Sequence, residues 1–238
     1  PRSSGSFGRV VEQAVLEAAI YAQSGFAGIM IENMHDVPYC KGRVGPEVVA
    51  AMTVIGRSIR KAVQLPLGIQ ILASANAEAL CVAHATGADF IRVEGFAYAH
   101  IADEGFIEAC AAPLLRLRKE LGCEHIRILA DIKKKHCAHA ITGDLSIEEV
   151  AAGAEFMGAD GVIVTGAATG AAASADELAT VKQRVRIPVY VGSGVDAANI
   201  CDYKSADGWI VGTSVKVNRD WRQEVDRAAC AKLVAAGR

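Results

Sequence analysis

Three times along this chain a helix-like segment ends on a glycine and an apolar strand follows at once. The phrases are Ser24-Gly25-Phe26, Thr86-Gly87-Ala88-Asp89 and Met157-Gly158-Ala159-Asp160. Glycine reaches positive φ without a Cβ clash, so it ends a helix and turns the chain into the next element. A chain punctuated this way alternates helix and strand. Such alternation demands parallel strands joined by right-handed crossovers. An open doubly wound sheet and a closed barrel both satisfy it. The length of 238 residues suits one (β/α)₈ barrel of roughly 250 residues, which is the fold predicted.

The expected elements follow from periodicity. Helices are predicted over Gly8–Ser24, Pro46–Val63, Asn76–Thr86, Glu104–Leu121, Ser146–Met157, Ala175–Val185, Asp196–Tyr203 and Trp221–Ala235. Val11, Ala14, Val15, Ala18 and Ala19 form the apolar stripe of the first. Ser146 and Glu149 make a capping box. Strands are predicted at Gly28–Ile31, Leu67–Leu72, Phe90–Val93, Ile126–Ile132, Gly161–Val164, Val189–Val191 and Gly208–Val211. The chain is 52% hydrophobic but only 5% aromatic, so small aliphatic residues must build the interior, as in a parallel sheet covered by helices. These are seven strands, not eight. Residues 1–8 are too short and polar for a core strand, so the expectation is one domain over 1–238 that carries strands two to eight, with strand one missing from the given sequence.

Several classes are excluded. A net charge of −2 favours neither nucleic acid nor an anionic membrane. No apolar run approaches the roughly 20 residues of a membrane span. The seven cysteines form no CxxC pair, which reads as free thiols in a reducing, cytoplasmic compartment. A lost organellar targeting segment is left open. GxGxxG, Walker A and GxSxG motifs are absent, against dinucleotide, P-loop and serine-hydrolase chemistry. No cluster has metal-ligand spacing, so no cofactor is expected. A divalent ion at Asp131 stays as an alternative.

The strongest functional signal lies near the C-terminus. Gly192-Ser193-Gly194 follows one strand and Gly212-Thr213-Ser214 follows the next. Small residues let main-chain N–H groups approach an anion, and barrels often hold phosphate between the loops after their seventh and eighth strands. The plainer alternative is a pair of tight turns at the rim. The loop Thr165-Gly166-Ala167-Ala168-Thr169-Gly170 is a further candidate, with Gly166 as a phosphate donor. Asp131, Lys135 and His136 follow another strand, where a carboxylate, a cation and an imidazole serve acid–base chemistry. Lys133 and Lys134 are weaker candidates there. Glu32 ends the first predicted strand and is a candidate base, unless Arg43 simply pairs with it. Asn33, Arg43, Gln70, Arg92 and Glu94 are candidate substrate-binding residues, with an Arg92–Glu94 pair as the alternative.

Taken together the motifs resemble the BtpA/SgcQ family. The likeness runs through Glu32-Asn33, Asp36-Val37-Pro38, Lys41-Gly42-Arg43-Val44, Ala51-Met52-Thr53, Leu67-Gly68, Phe90-Ile91-Arg92-Val93, Ala130-Asp131 and Lys135-His136. It continues through Val162–Gly166 with Thr169-Gly170, then Val191–Val195, and ends in Gly208–Lys216. The family usually opens with a strand rich in Val, His and Leu and a Pro-Gly-Ser-Pro-Arg turn, whose tail Pro1-Arg2 resembles. The chain departs from the family pattern at Gln70 and Glu94, where Asn is usual, and at Lys133, often His. The resemblance implies a barrel similar to the ribulose-phosphate-binding group. One family branch is linked to photosystem I biogenesis and another to sugar-phosphate genes. The expected function is therefore an isomerase, aldolase or lyase acting on a small phosphorylated metabolite. Asp131 and Glu32 would transfer protons, and Lys135 or His136 would stabilise negative charge. The rivals are a non-catalytic assembly factor and a nucleotide-binding hydrolase. Barrels of this kind often pair into homo-oligomers, and no interface signature in the sequence decides the oligomeric state.

Overall fold

The glycine phrases do close helices: Gly25, Gly87 and Gly158 sit at φ 90°, 71° and 92°. The computed structural model describes residues 6–134, 136–166 and 172–238. Lys135 and the 167–170 part of the loop named above lie outside the described residues. In chain order the elements are α1 (Phe7–Ser24), β1 (Ile29–Glu32), α2 (Pro46–Ala62), β2 (Leu67–Gln70), α3 (Asn76–Thr86), β3 (Phe90–Val93), β4 (His100–Ala102), β5 (Gly105–Ile107), α4 (Ala111–Glu120), β6 (Arg127–Ile132), β7 (Cys137–Ala138), α5 (Ile147–Phe156), β8 (Gly161–Val164), α6 (Ala175–Arg184), β9 (Val189–Val191), β10 (Gly208–Trp209) and α7 (Arg227–Ala236).

Seven parallel strands form one sheet in the order β1-β2-β3-β6-β8-β9-β10. That order never reverses along the chain. A doubly wound sheet reverses at a switch point, whereas a barrel wall does not. This is a TIM-barrel sheet, curled and ending at β1 on one side and β10 on the other. The two ends are linked indirectly: Lys216, past β10, reaches Glu17 of α1 at 2.8 Å, and the Val225 N–H donates to the same carboxylate at 3.3 Å.

Strand alternation sorts the side chains. Ile69, Ile91, Val93, Ile128, Ala130, Ile132, Val162, Val164, Val189 and Val191 are buried among the helices and form the main core. Each large aliphatic buried there contributes roughly 1.5–3 kcal/mol. The opposite parity faces the barrel axis. Its lower layers are apolar or small, with Phe90 over Gly68 and Leu129 over Gly161. Its upper layer is charged.

Three expectations need correction. The predicted helix from Glu104 begins only at Ala111, and residues 100–107 instead form the antiparallel pair β4–β5. With β7 they make a three-stranded flap at the C-terminal ends of β3 and β6. The cause is local: His100, Ala102 and Ile107 are buried while Ile101 and Phe106 are exposed, a period of two that a helix cannot satisfy. The short helix expected over Asp196–Tyr203 is a 3₁₀ turn at Ile200–Tyr203. The closing helix starts at Arg227, not Trp221, because Asp226 caps it by accepting from the Ala228 and Ala229 N–H groups.

The capping box at α5 forms as its spacing predicts. The Ser146 hydroxyl accepts from the Glu149 N–H at 3.3 Å, and Glu149 accepts from the Ser146 N–H at 2.8 Å. Ser146→Ala is expected to lower stability by about 1 kcal/mol in urea unfolding, with an unchanged m-value.

Candidate functional site

Arg92 stands at the centre of the upper layer. It is the last inward position of β3, and only 6% of its side chain is exposed. Its Nε lies 3.1 Å from both carboxylate oxygens of Asp131, and its Nη2 lies 3.0 Å from Oδ1. Glu32, at the end of β1, approaches Nη1 at 3.7 Å. Burial pulls the guanidinium's proton affinity down, but Asp131 and Glu32 more than reverse this, so Arg92 stays charged. Burial likewise pushes the Asp131 carboxyl up, against the opposing charge of Arg92.

Glu94, one inward step beyond Arg92, has a separate set of partners. It accepts from Gln70 Nε2 at 3.2 Å, from the Ser74 N–H at 2.9 Å and from Lys134 Nζ at 2.9 Å. Burial lowers the proton affinity of Lys134, and Glu94 raises it further than burial lowers it. The two pairings suggested by sequence proximity do not form. Glu32 meets Arg92 rather than Arg43, and Arg92 meets Asp131 rather than Glu94. Arg43 is exposed. Asn33 accepts from the Leu72 N–H at 2.7 Å and donates to Asp36, so it ties the ends of β1 and β2 together.

The C-terminal loops converge on the same mouth. Gly166 follows β8, Ser193 and Gly194 follow β9, and Gly212–Ser214 follow β10. The Gly166 N–H donates to the Ser193 hydroxyl at 2.7 Å, and the Ser214 hydroxyl donates to the Val195 carbonyl at 2.7 Å. These bonds hold the three loops together. They also commit the Gly166 N–H, which was expected to serve an anion. Thr213 and Ser214 open a 3₁₀ turn, whose first N–H groups have no partner within the turn. Gly192 makes the approach to Arg92 possible. A Cβ there would lie 2.5 Å from Ile163 Cγ2, 3.2 Å from Thr165 Cγ2 and 3.4 Å from Arg92 Nη2.

An open cleft of about 2100 Å³ contains Glu32, Asn33, Arg92, Ser193, Gly194 and Gly212–Ser214. It exceeds a usual ligand pocket because it continues down the opening between β1 and β10. Within it, Glu32 keeps 21% of its side chain exposed, whereas the Asp131 side chain has none. Glu32 is thus the carboxylate a ligand can reach. Asp131 orients Arg92, an engagement that leaves little of it for a metal ion. Among the described residues no group of His, Cys, Asp and Glu has metal-binding geometry. His136 is exposed at the surface. Sequence reasoning ranked Lys134 low and missed Ser74. Three consecutive lysines carry no signal that Lys134 turns inward. That is decided by the reversal at Lys133, whose φ is 41°.

Comparison with known proteins accords with this architecture. The family model for the BtpA family matches residues 1–237. The chain belongs to the BtpA family. A mitochondrial protein of Caenorhabditis elegans is 44% identical over 98% of this chain and 86% of its own. The photosystem I biogenesis protein BtpA of Synechocystis is 36% identical over 99% and 82%. Among solved structures, thiamine phosphate pyrophosphorylase of Pyrococcus furiosus superposes with a TM-score of 0.61 at 16% identity, covering 96% of this chain and 91% of its own. Orotidine 5′-phosphate decarboxylase of Pyrococcus horikoshii gives 0.60 at 15%, covering 98% and 94%. At such identities the likeness concerns the fold alone: this BtpA-family chain has a TIM-barrel fold. All seven cysteines are free, and among the described residues no helix is long and apolar enough to cross a membrane.

Proposed function

We propose that this BtpA-family barrel is an enzyme of the isomerase, aldolase or lyase type acting on a small phosphorylated metabolite of the sugar-phosphate kind. The observation that carries the reading is one cleft lined both by the loops after β9 and β10 and by Glu32 and Arg92, with Asp131 holding Arg92 from behind. The phosphate would lie against Ser193–Gly194 and Gly212–Ser214, where small side chains let main-chain N–H groups approach an anion. The rest of the ligand would extend toward β1 and β3. Glu32 would move the proton, and Arg92, held rigid by Asp131, would stabilise the developing negative charge. Lys134 is a better-placed auxiliary cation than His136. The structural neighbours support the reading in that their names carry thiamine phosphate and orotidine 5′-phosphate. A non-catalytic assembly role, suggested by the name of the Synechocystis relative, gives no reason for buried charges to gather beneath an open cleft.

The test is a thermal-shift screen with paired ligands. Phosphorylated sugars are expected to raise the melting temperature and their dephosphorylated counterparts are not. Saturation at 100 times Kd stabilises by about 2.7 kcal/mol. Thr213→Asp, which sets a carboxylate in the anion site, is expected to abolish the shift. Equal shifts for both ligand series, or a full response in that variant, would sink the phosphate assignment.

A further inference from the structure

Beyond β10, a loop over residues 217–224 lines the cleft with Arg219, Trp221 and Arg222. Its neck is closed by the antiparallel Lys216–Val225 bridge, and the Val217 N–H donates to the Glu224 carbonyl at 3.0 Å. Asn218 and Arg219 both stand at φ 54°, a left-handed conformation that non-glycine residues keep only where their surroundings hold it. Two contacts brace the loop across the mouth. On one side the Trp221 ring lies 5.4 Å, centroid to centroid, from that of His35, which follows β1. On the other, Arg219 Nη1 meets Asp196 Oδ2 at 3.0 Å.

The second contact sets Arg219 beside the candidate anion loops. Asp196 is two residues past Gly194, so at most about 7 Å of chain separates them. That segment is locked. Asp196 Oδ1 accepts from the Ala198 N–H at 2.7 Å, and Asn199 Nδ2 donates to the Gly194 carbonyl at 2.8 Å. Two other cations of the cleft are already engaged: Arg92 is buried against Asp131 and Glu32, and Lys216 is held by Glu17 at 2.8 Å. Arg219 instead keeps 68% of its side chain exposed. An exposed ion pair is weak, whereas the guanidinium fork matches two phosphate oxygens at once.

We propose that Arg219 is a ligand-binding, specificity-determining residue of this cleft, drawn from Asp196 onto the terminal phosphate monoester of the ligand. Its role rests on a phosphate lying against Ser193–Gly194 and Gly212–Ser214. The main-chain N–H groups there direct the oxygens but carry no net charge. Arg219 supplies that charge, and so favours the phosphate dianion over the monoanion.

Titration of the full chain with inorganic phosphate, followed by thermal shift and calorimetry at pH 8 and pH 6, tests this. Arg219→Gln is expected to weaken binding about tenfold or more at pH 8, the size of a lost hydrogen bond to a charged group. Wild-type affinity should fall toward pH 6 as phosphate takes up a second proton, and that dependence should flatten in Arg219→Gln. Arg219→Lys keeps the charge but loses the fork, so its loss should be smaller yet measurable, and it carries the test if the glutamine variant does not fold. Arg222→Gln removes the same charge from the same loop. Arg222 is paired with Asp220 at 3.0 Å and lies over Trp221, so this variant should stay within about twofold of wild type. Unchanged binding in both Arg219 variants, or an equal loss in Arg222→Gln, overturns the role of Arg219 and leaves the phosphate assignment standing. A wild type that binds no phosphate overturns both.

Discussion

Arg92→Leu is expected to lower stability by about 3–5 kcal/mol at neutral pH, the largest effect of any single change near the cleft. The arginine is the counter-charge to an Asp131 side chain with no exposed surface, and it also faces Glu32. Its removal leaves a buried carboxylate unpaired in a layer that retains Glu32 and Glu94. The pH dependence supplies the signature. Without Arg92 the Asp131 carboxyl is raised in the folded state, since burial then acts unopposed by that charge. The unfolded chain binds fewer protons than the folded one across that interval. Stability should therefore rise as pH falls toward the ordinary carboxylate value of 3.8, as Asp131 takes up a proton. Arg92→Leu combined with Asp131→Leu should recover most of the loss, because a well-packed apolar pair can replace a buried ion pair at little cost. Urea unfolding of wild type, single and double variants at pH 5 and pH 7 measures all of this. A single variant with wild-type stability at both pH values would show that Arg92 is not what holds Asp131.

Gly192→Val is expected to cost about 1–3 kcal/mol through overpacking and to disable the cleft. Its first added carbon would already be 2.5 Å from Ile163 Cγ2. Ile163 is fully buried, so it has nowhere to go. Relief must come from Thr165 or from the guanidinium of Arg92, both on the site's side. The variant should lose ligand-induced thermal shifts to a greater degree than its stability loss explains. Gly192→Ala should do the same more weakly. Full ligand response in both variants would mean that the space above Gly192 plays no part in binding.

The glycine phrases, the capping box and the alternation of strands with helices are all local signals, and the structure follows them. The flap over β4, β5 and β7 was legible in principle, since His100, Ala102 and Ile107 alternate with Ile101 and Phe106. Its strands are only two or three residues long, and that period is easily lost beside the strong helix signal of residues 111–120. For the site, alternation placed Glu32, Arg92, Glu94 and Asp131 at strand ends. It could not say which carboxylate faces which cation. Arg92 and Asp131 are 39 residues apart in the chain. They meet because β3 and β6 are neighbours in register, with Arg92 opposite Leu129.

By itself, then, the chain determines what depends on neighbours a few residues away: where helices stop, which face of a strand is apolar, which loops are small enough to approach an anion. Only the tertiary structure decides the pairing of Arg92 with Asp131 and the inward turn of Lys134 onto Glu94. Those depend on the distance between strands and on the burial of charge, and both arise only when the sheet has curled.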